Sequence, residues 1–345
     1  MLFFIITIFE ITLPLLPMKD LKMIAEVLIK EETDFFELKE TIENYKSIVY
    51  KLSELDLTTI KDDNDLFFDT GKALGTKWAA LCLNDLLRTK KFVQGTYKAI
   101  RKKLKEKQAV KVLYAGTGPF ATLILPILHL FSSDQLKVVL MEVNQETCQY
   151  LKKVINTLEL NDYVQEYIVA DASKFKFNEN QRSDIVVSET MQRALEKEQQ
   201  VAIMMNIFSQ MKDDTFMIPQ SIKLYAALIS SFDPTLKSEK TYEILDTVFD
   251  LNPELINTYH KEFNESNEYN FPPKVVTITH DKADFKNFAI LTEVQIFDDI
   301  VLKYNKSSLT VPLILNDISG LTENKNITTY YHASSTPSLK VTFEK

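Results

Sequence analysis

The run Val110-Lys111-Val112-Leu113-Tyr114-Ala115 passes directly into Gly116-Thr117-Gly118 and then into the apolar stretch Pro119 to Leu125. A β-branched apolar run that ends in Gly-x-Gly and continues into apolar residues is typical of a strand, a sharp turn and a buried helix. Glycine lets backbone N–H groups approach a ligand without interference from a Cβ atom, and proline is well tolerated at the first helical position. The stretch therefore predicts a nucleotide-binding turn between a buried strand and a helix that begins at Pro119.

Three further strand-like runs follow this turn, namely Lys137 to Glu142, Tyr163 to Ala170 and Asp184 to Ser188. They alternate with helix-like segments, which is the pattern of a parallel sheet built from βαβ units. The runs are apolar on both faces, as strands covered by helices must be. An α/β domain is therefore predicted at residues 108–219.

The pattern differs on either side of this domain. Residues 18–107 show helical periodicity, with the longest helical stretch at Trp78 to Ile100. Residues 220–345 are rich in alternating apolar and polar runs, which predict an antiparallel β domain. Its strand-like stretches are Ser221 to Leu228, Lys274 to Thr279, Phe288 to Phe297, Ile300 to Tyr304, Leu309 to Leu315 and Ser338 to Phe343. A helical insertion is predicted within it, at about residues 237–263.

Composition narrows the class of protein. The 345 residues carry a net charge of −8, which argues against a nucleic-acid partner because phosphate groups would be repelled. Cys82 and Cys148 are too few for a disulfide framework or a zinc site, and the four histidines lack metal-ligand spacing. We therefore expect no bound metal and a reducing, cytoplasmic location.

Residues 1–17 are strongly apolar but are interrupted by Glu10. The segment is shorter than the roughly 20 residues of a membrane span, and it lacks the positive start and cleavage site of a secretory leader. The expectation is an upstream start codon, with Met18 or Met23 beginning the folded protein and no membrane partner. The alternative is a hydrophobic helix that packs on the body or touches a membrane.

Acidic residues end the later strands of the predicted sheet. Glu142 ends the second strand, Asp171 follows the third and Ser188-Glu189 end the fourth. In open α/β sheets the ligand lies beyond the carboxyl ends of the strands. A carboxylate at Glu142 can accept both hydroxyls of a ribose, and one at Asp171 can contact an adenine edge.

This arrangement resembles the class I S-adenosylmethionine-dependent methyltransferases. Glu189 and Glu198, nine residues apart, resemble the double-glutamate hairpin of the protein arginine methyltransferases. Asp85-Leu86-Leu87-Arg88-Thr89 is similar to that family's helix that carries an arginine for the cofactor carboxylate. Phe216-Met217-Ile218-Pro219 resembles the passage into its β-barrel domain.

The resemblance implies a Rossmann-like methyltransferase domain with a helical N-terminal extension and a C-terminal antiparallel β-barrel-like domain. It implies S-adenosylmethionine as cofactor and Glu189 and Glu198 as catalytic residues. The implied cofactor-binding residues are Arg88, Gly116, Thr117, Gly118, Glu142 and Asp171. The predicted helical insertion stands where the family has a dimerisation arm, so a homodimer is expected by analogy.

The chemistry of the two glutamates supports a binding role independently of the family resemblance. Two carboxylates on one hairpin can bind a guanidinium through charge-assisted, bidentate hydrogen bonds and direct one nitrogen at a methyl group. The predicted reaction is methylation of a guanidino or amino nitrogen on a protein, a peptide or a small molecule.

Several positions depart from the family pattern. Tyr114 stands where class I enzymes usually have an acidic residue, and Phe120 replaces the third glycine. Thr190 replaces an aromatic residue after the first glutamate, and the family's Thr-His-Trp loop is absent from the sequence. His332 is a candidate to occupy similar space.

Other functions remain open from the sequence. The turn at residues 116–121 also satisfies the Gly-x-Gly-x-x-Ala pattern of a nicotinamide-dependent oxidoreductase, with Glu142 as the ribose acid. Aminopropyl transfer is disfavoured because Arg88 implies a carboxylate on the cofactor. A binding module with a decayed pocket is disfavoured because the acidic residues and the glycines occur together.

Overall fold

The computed structural model describes residues 15–60, 64–230, 242–266, 268–282 and 285–344. Most of the apolar segment at 1–17 lies outside these residues, and only its last three belong to the first helix. The α-helices in the described residues are α1 (Leu15–Ile29), α2 (Phe35–Ser53), α3 (Thr76–Leu81), α4 (Leu86–Lys103), α5 (Gln145–Thr157), α6 (Gln200–Phe208) and α7 (Pro253–Asn264). No described helix combines the length and the apolar character that crossing a membrane requires.

The strands fall in two regions of the chain. Those before residue 220 are β1 (Leu66–Phe68), β2 (Gly71–Ala73), β3 (Val110–Ala115), β4 (Leu136–Glu142), β5 (Val164–Val169), β6 (Ile185–Ser188) and β7 (Phe216–Ile218). Those after it are β8 (Ser221–Ile229), β9 (Tyr242–Leu251), β10 (Tyr269–Asn270), β11 (Lys274–Ile278), β12 (Asn287–Phe297), β13 (Ile300–Leu302), β14 (Leu313–Asp317), β15 (Lys325–Ala333) and β16 (Ser338–Phe343).

Side-chain caps set the starts of several helices. Asp34 accepts hydrogen bonds from the N–H groups of Phe36 and Glu37 at the start of α2. Asn144 caps α5 in the same way, and Asp85 accepts from the N–H of Arg88 in α4. These side chains satisfy N–H groups that have no partner inside a helix, so α2, α4 and α5 each begin after a short polar residue.

The chain forms two compact units. Among the described residues, the first unit comprises 15–66, 74–188 and 210–218, and the second comprises 67–73, 189–209 and 219–344. The helices α1, α2 and α4 thus belong to the same unit as β3 to β7. The segment at 189–209 belongs to the second unit although it follows β6 directly.

A five-stranded parallel sheet forms the centre of the first unit. Its strand order is β5-β4-β3-β6-β7, and all neighbouring pairs are parallel. The central strands are buried on both faces, because adjacent residues of one strand point to opposite faces and neither is exposed. The pairs without exposed surface are Val112 and Leu113, Val138 and Val139, and Ile185 and Val186. The predicted α/β architecture is therefore confirmed, with the strands ending at one edge of the sheet.

The segment after the glycine turn differs from the prediction. Residues 119–124 form turns, and a 3-10 helix follows at Leu125–Leu130. Ala121 has a φ of 46°, and its carbonyl accepts from the N–H groups of both Ile124 and Leu125. A left-handed residue interrupts a right-handed helix, so the prediction of a helix beginning at Pro119 was wrong.

The second unit contains two antiparallel sheets. One has the order β13-β12-β8-β9 with β14 paired to β12, and the other has the order β10-β15-β11 with β16 paired to β15. The prediction of an antiparallel β-rich C-terminal region is confirmed. The side-chain hydroxyl of Thr292 and the ring of Tyr331, on β12 and β15, are both buried in this unit.

The helical insertion predicted at 237–263 is only partly helical. Residues 237–241 lie outside the described residues, and Tyr242–Leu251 form strand β9, which pairs antiparallel with β8. Only Pro253–Asn264 form a helix. The pairing with β8 satisfies the backbone of Tyr242–Leu251 and decides the strand conformation.

Candidate active site

The glycine turn lies in the first unit at the end of β3. Gly116 and Gly118 have φ values of 76° and 60°, which favour glycine. The N–H groups of Gly116 and Thr117 donate to the carbonyl of Met141, at 2.9 and 3.3 Å. The N–H of Gly118 donates to Oε2 of Glu142 at 2.9 Å. These three N–H groups therefore bind the end of β4, and ligand contacts must come from other atoms of the turn.

Glu142 is held by the backbone around it. Its Oε1 accepts from the N–H of Asn144 at 3.0 Å, while Oε2 accepts from Gly118. Burial raises the pKa of this carboxyl above its ordinary value, and the N–H groups of Asn144, Gly118 and Val143 act against that rise. A carboxylate has about four lone pairs for these three N–H groups, so Glu142 can still accept a hydrogen bond from a ligand hydroxyl.

Thr117 carries a polar atom without a protein partner. Its side chain is 2% exposed, and Oγ1 forms no hydrogen bond with any described residue. Leaving a buried hydroxyl unsatisfied costs about 1–3 kcal/mol. A ligand with polar groups, beside the Glu142 carboxylate, would satisfy this atom, so the residues present fit a nucleoside-bearing cofactor.

Arg88 and Glu142 both interact electrostatically with Tyr114. Burial raises the pKa of the Tyr114 phenol, the positive charge of Arg88 lowers it, and the negative charge of Glu142 raises it. All three residues belong to the first unit. The phenol occupies the position where class I enzymes usually carry an acid, and the guanidinium supplies a positive charge there.

Asp171 follows β5 in a tight turn. Its Oδ1 accepts from the N–H and the hydroxyl of Ser173, at 2.9 and 2.7 Å. Its carbonyl accepts from the N–H groups of Lys174 and Phe175. The turn fixes the orientation of the half-buried carboxylate, whose contact with an adenine stays a prediction.

The glutamate hairpin lies in the second unit. Glu189 and Glu198 are both 6% exposed, so two carboxylates are buried within ten residues of chain. Ala194, Leu195 and Lys197 between them have φ values of 55°, 54° and 66°. Left-handed backbone in residues other than glycine is uncommon and is retained where surrounding structure enforces it.

Three distant residues of the second unit enforce this backbone. The N–H of Ala194 donates to Oγ1 of Thr292 at 2.9 Å, and the hydroxyl of Tyr331 donates to the carbonyl of Leu195 at 2.8 Å. The N–H of Lys197 donates to the carbonyl of Pro337 at 2.9 Å. The hairpin is therefore positioned by β12, β15 and the turn before β16.

A short β-hairpin formed by β1 and β2 also supports it. The N–H of Lys72 donates to the carbonyl of Lys197 at 2.9 Å, and the side chain of Gln199 donates to Thr70 at 2.7 Å. A Cβ atom at Gly71 would lie 2.8 Å from the carbonyl oxygen of Lys197. Sequence reasoning missed this contact, and the only signal for it was a glycine in a chain that has six.

Residues 84–217 match the family described as PRMT5 arginine-N-methyltransferase. The chain is a class I S-adenosylmethionine-dependent methyltransferase with an arginine methyltransferase-like fold. The matched residues include all eight that the sequence predicted for the site. Nothing in the match or in the geometry favours the oxidoreductase alternative.

Solved structures similar to this methyltransferase include one that matches across most of its length. It is the Trypanosoma brucei PRMT1 enzyme-prozyme heterotetrameric complex with AdoHcy, which is 12% identical. The similarity covers 76% of this chain and 96% of that chain, with a TM-score of 0.46. No curated protein matches the sequence.

The eight predicted site residues fall in the two units of the chain. Arg88, Gly116, Thr117, Gly118, Glu142 and Asp171 belong to the first unit, and Glu189 and Glu198 belong to the second. Ser188, the last residue of β6, pairs with Ala115, the last residue of β3. No group of His, Cys, Asp or Glu side chains in the described residues could hold a metal ion.

Two residues named in the sequence analysis have other partners. His332 lies with Nδ1 2.6 Å from Oδ1 of Asn270, while its neighbour Tyr331 binds the hairpin. Successive strand residues face opposite sides, so the side chains of His332 and Tyr331 lie on opposite faces of β15. Thr190 donates through its N–H and its hydroxyl to Oε1 of Gln200, at 2.7 and 2.9 Å.

Proposed function

We propose that this methyltransferase transfers a methyl group to a guanidinium nitrogen of an arginine side chain in a peptide or protein. The observation that supports this most is the pair of buried carboxylates, Glu189 and Glu198, on a hairpin of left-handed backbone. A planar guanidinium donates from several N–H groups at once, so two carboxylates on one short segment can bind it by charge-assisted hydrogen bonds.

The cofactor residues divide the roles between them. S-adenosylmethionine, when bound, supplies a methyl group activated by attachment to a sulfonium sulfur. Arg88 would form an ion pair with the amino-acid carboxylate of the cofactor. Glu142 would accept hydrogen bonds from the ribose hydroxyls, and the buried hydroxyl of Thr117 would form a hydrogen bond with the ligand. Asp171 would accept from the adenine amino group.

The glutamates would act on the acceptor. Glu189 and Glu198 would hold the guanidinium by charge-assisted hydrogen bonds and fix the direction of one nitrogen. Methylation would replace the bond between the methyl carbon and the sulfonium sulfur by a nitrogen–carbon bond, with the electron pair left on a neutral thioether sulfur. The nitrogen would release one proton, which a carboxylate of the pair would accept. Because the hairpin is held in place before the acceptor binds, little reorganisation is needed.

The experiment compares Glu189→Gln with Glu196→Gln, which makes the same charge change in the same hairpin. Transfer of labelled methyl to an arginine-containing peptide is measured, together with cofactor affinity by calorimetry. We expect Glu189→Gln to lower turnover about 100-fold or more with little change in cofactor affinity, and Glu196→Gln to change turnover less than about 3-fold.

Two results would contradict the proposal. One is full activity of the Glu189→Gln protein on the acceptor peptide. The other is transfer to a matched lysine peptide, or to a free small molecule, with no transfer to the arginine peptide.

We further propose a cytoplasmic location and a homodimer. Cys82 and Cys148 are both free thiols, as a reducing compartment maintains. The homodimer rests on family analogy for the region around β9 and α7 alone. Sedimentation velocity of the full chain tests it, and a monomer at about 10 µM would contradict it.

A further inference from the structure

A basic groove lies in the first unit at the edge of the parallel sheet opposite the glycine turn. It has a volume of about 290 Å³, and it is lined at the start of β3 by Val110 and Lys111. Lys137 near the start of β4 and Asp184 just before β6 also line it. Because β3 spans six residues, the groove lies roughly 20 Å from Gly116, so it is distinct from the cofactor residues.

Positive charge predominates in this groove, although the whole chain is acidic. Two acidic side chains, Asp184 and Glu179, also line it. The basic residues that line it are Lys107, Lys111, Lys137, Arg182 and Lys212. The groove therefore has an excess of basic side chains, whereas the whole chain has a net charge of −8.

Two basic side chains of the groove, Arg182 and Lys212, are available to bind an anion. Asp184 accepts from Nζ of Lys107 at 2.5 Å and from the N–H of Lys111 at 2.8 Å, so its charge is already compensated. The side chains of Arg182 and Lys212 form no hydrogen bond or ion pair with any other described residue. Burial lowers the pKa of Lys111; the negative charge of Asp184 raises it, and the positive charges of Lys212 and Lys107 lower it further.

We propose that this groove binds a diphosphate group, either free or carried by a nucleotide. Arginine and lysine bind phosphate oxygens through charge-assisted hydrogen bonds, and a ligand with about three negative charges matches the excess of basic side chains. The groove has no aromatic lining on which a base could stack, so the phosphates supply the binding energy. The acidic charge of the whole chain disfavours a long polyanion.

Calorimetric titration of the full chain without S-adenosylmethionine tests the proposal, so its outcome is independent of methyl transfer. The ligands are inorganic pyrophosphate, ADP, AMP and orthophosphate at one ionic strength. We expect pyrophosphate and ADP to bind about 10-fold or more tightly than AMP and orthophosphate. Tighter binding of ADP than of pyrophosphate would identify a nucleotide as the carrier, and equal binding would identify the free ion.

The groove is tested by the double variant Arg182→Gln/Lys212→Gln. The matched control is Lys39→Gln/Lys51→Gln on α2, which removes the same charge from two exposed lysines. We expect the groove variant to weaken pyrophosphate binding about 10-fold or more and the control to weaken it less than about 2-fold. If the double variant does not fold, Lys212→Gln alone is used, with an expected loss of about 3-fold.

Three results would overturn the proposal. They are no pyrophosphate binding by the unmodified chain at about 10 mM ligand, equal losses in the groove and control variants, or binding of ADP without binding of pyrophosphate.

Discussion

At the scale of single residues, Glu142 links the turn after β3 to the turn after β4. Its two carboxylate oxygens accept from the N–H groups of Gly118 and Asn144. A ribose would be the next partner of the same oxygens under the proposed function. One residue thus both shapes the turn and offers acceptors to a ligand.

Replacing this carboxylate should weaken cofactor binding. We expect Glu142→Gln to raise the cofactor dissociation constant about 10-fold or more, since an amide nitrogen would face a backbone N–H. Glu146→Gln, at an exposed position in α5, makes the same charge change and should have little effect. Calorimetry with S-adenosylmethionine measures both, and equal constants for the two variants would remove Glu142 from the cofactor site.

The same residue predicts the pH dependence of binding. Because burial raises the pKa of Glu142 above 4.5, protonation begins at a higher pH than in an exposed glutamate. A protonated carboxyl loses acceptor capacity, so cofactor affinity should fall as the pH is lowered toward 5 and should be fully present above neutral pH. A flat affinity profile between pH 8 and pH 5 would contradict this assignment.

At the scale of elements, the β1–β2 hairpin packs against the loop that carries Glu198. Gly71 has a φ of 127°, and a Cβ there would lie 2.8 Å from the carbonyl oxygen of Lys197. A backbone carbonyl cannot move away from an added Cβ atom as the end of a flexible side chain can. The close approach therefore depends on glycine at this position.

Gly71→Ala should destabilise the second unit and disturb the glutamate hairpin. We expect a loss of about 1–3 kcal/mol in unfolding free energy and a fall in methyl transfer with little change in cofactor affinity. Gly320→Ala is the matched control, because no atom lies within 4 Å of the added Cβ. Thermal unfolding and the peptide assay measure both variants, and similar values for the two would show that the contact is unimportant.

At the scale of the whole molecule, a buried lysine connects the N-terminal helix to the body of the first unit. Nζ of Lys90 donates to the carbonyls of Lys30, Val27 and Leu28, at 2.6, 3.3 and 3.4 Å. These carbonyls lie at the end of α1, where positive charge is favourable. Burial lowers the pKa of Lys90 to about 8.

Folding stability should therefore change with pH through Lys90. Above pH 8 the folded chain releases this proton while the unfolded chain keeps it until about 10.5, so the unfolding free energy should rise from pH 8 to pH 10. Lys90→Met should remove this rise. Lys39→Met is the control at an exposed position.

Urea denaturation followed by tryptophan fluorescence measures this effect in the first unit. Trp78, the single tryptophan of the chain, lies in α3 of that unit. Parallel pH profiles for the Lys90→Met protein and the unmodified chain would contradict the role of Lys90.

The parallel sheet was predictable because each of its strands is indicated by a short run of neighbouring residues. β3 was predicted at residues 110–115 and is observed there, and the predicted starts of β4 and β6 differ from the observed ones by one residue. Long apolar β-branched runs can be buried on both faces only as central strands. Glu142 ends β4 and Glu189 follows β6, as the sequence predicted, and the role of the acidic residues at the strand ends stays a prediction.

Other elements could not be identified from local pattern. Tyr242–Leu251 resembled part of a helical insertion but forms β9, because β8 supplies its hydrogen-bond partners. Strand β15 was not predicted, although its alternate residues are buried. Its threonines and tyrosines are polar, so the sequence pattern alone does not indicate a half-buried strand. The pairing with β11 and β16 buries its alternate residues.

The amino-acid sequence by itself determined the parallel strands, the glycine turn and the carboxylates at the strand ends, because each depends on neighbouring residues. Only the tertiary structure decided how the glutamate hairpin is held. The hydroxyl of Tyr331 reaches the carbonyl of Leu195 across 136 residues of chain, and Gly71 approaches Lys197 from another element. Such contacts depend on the packing of distant elements, so no local pattern contains them.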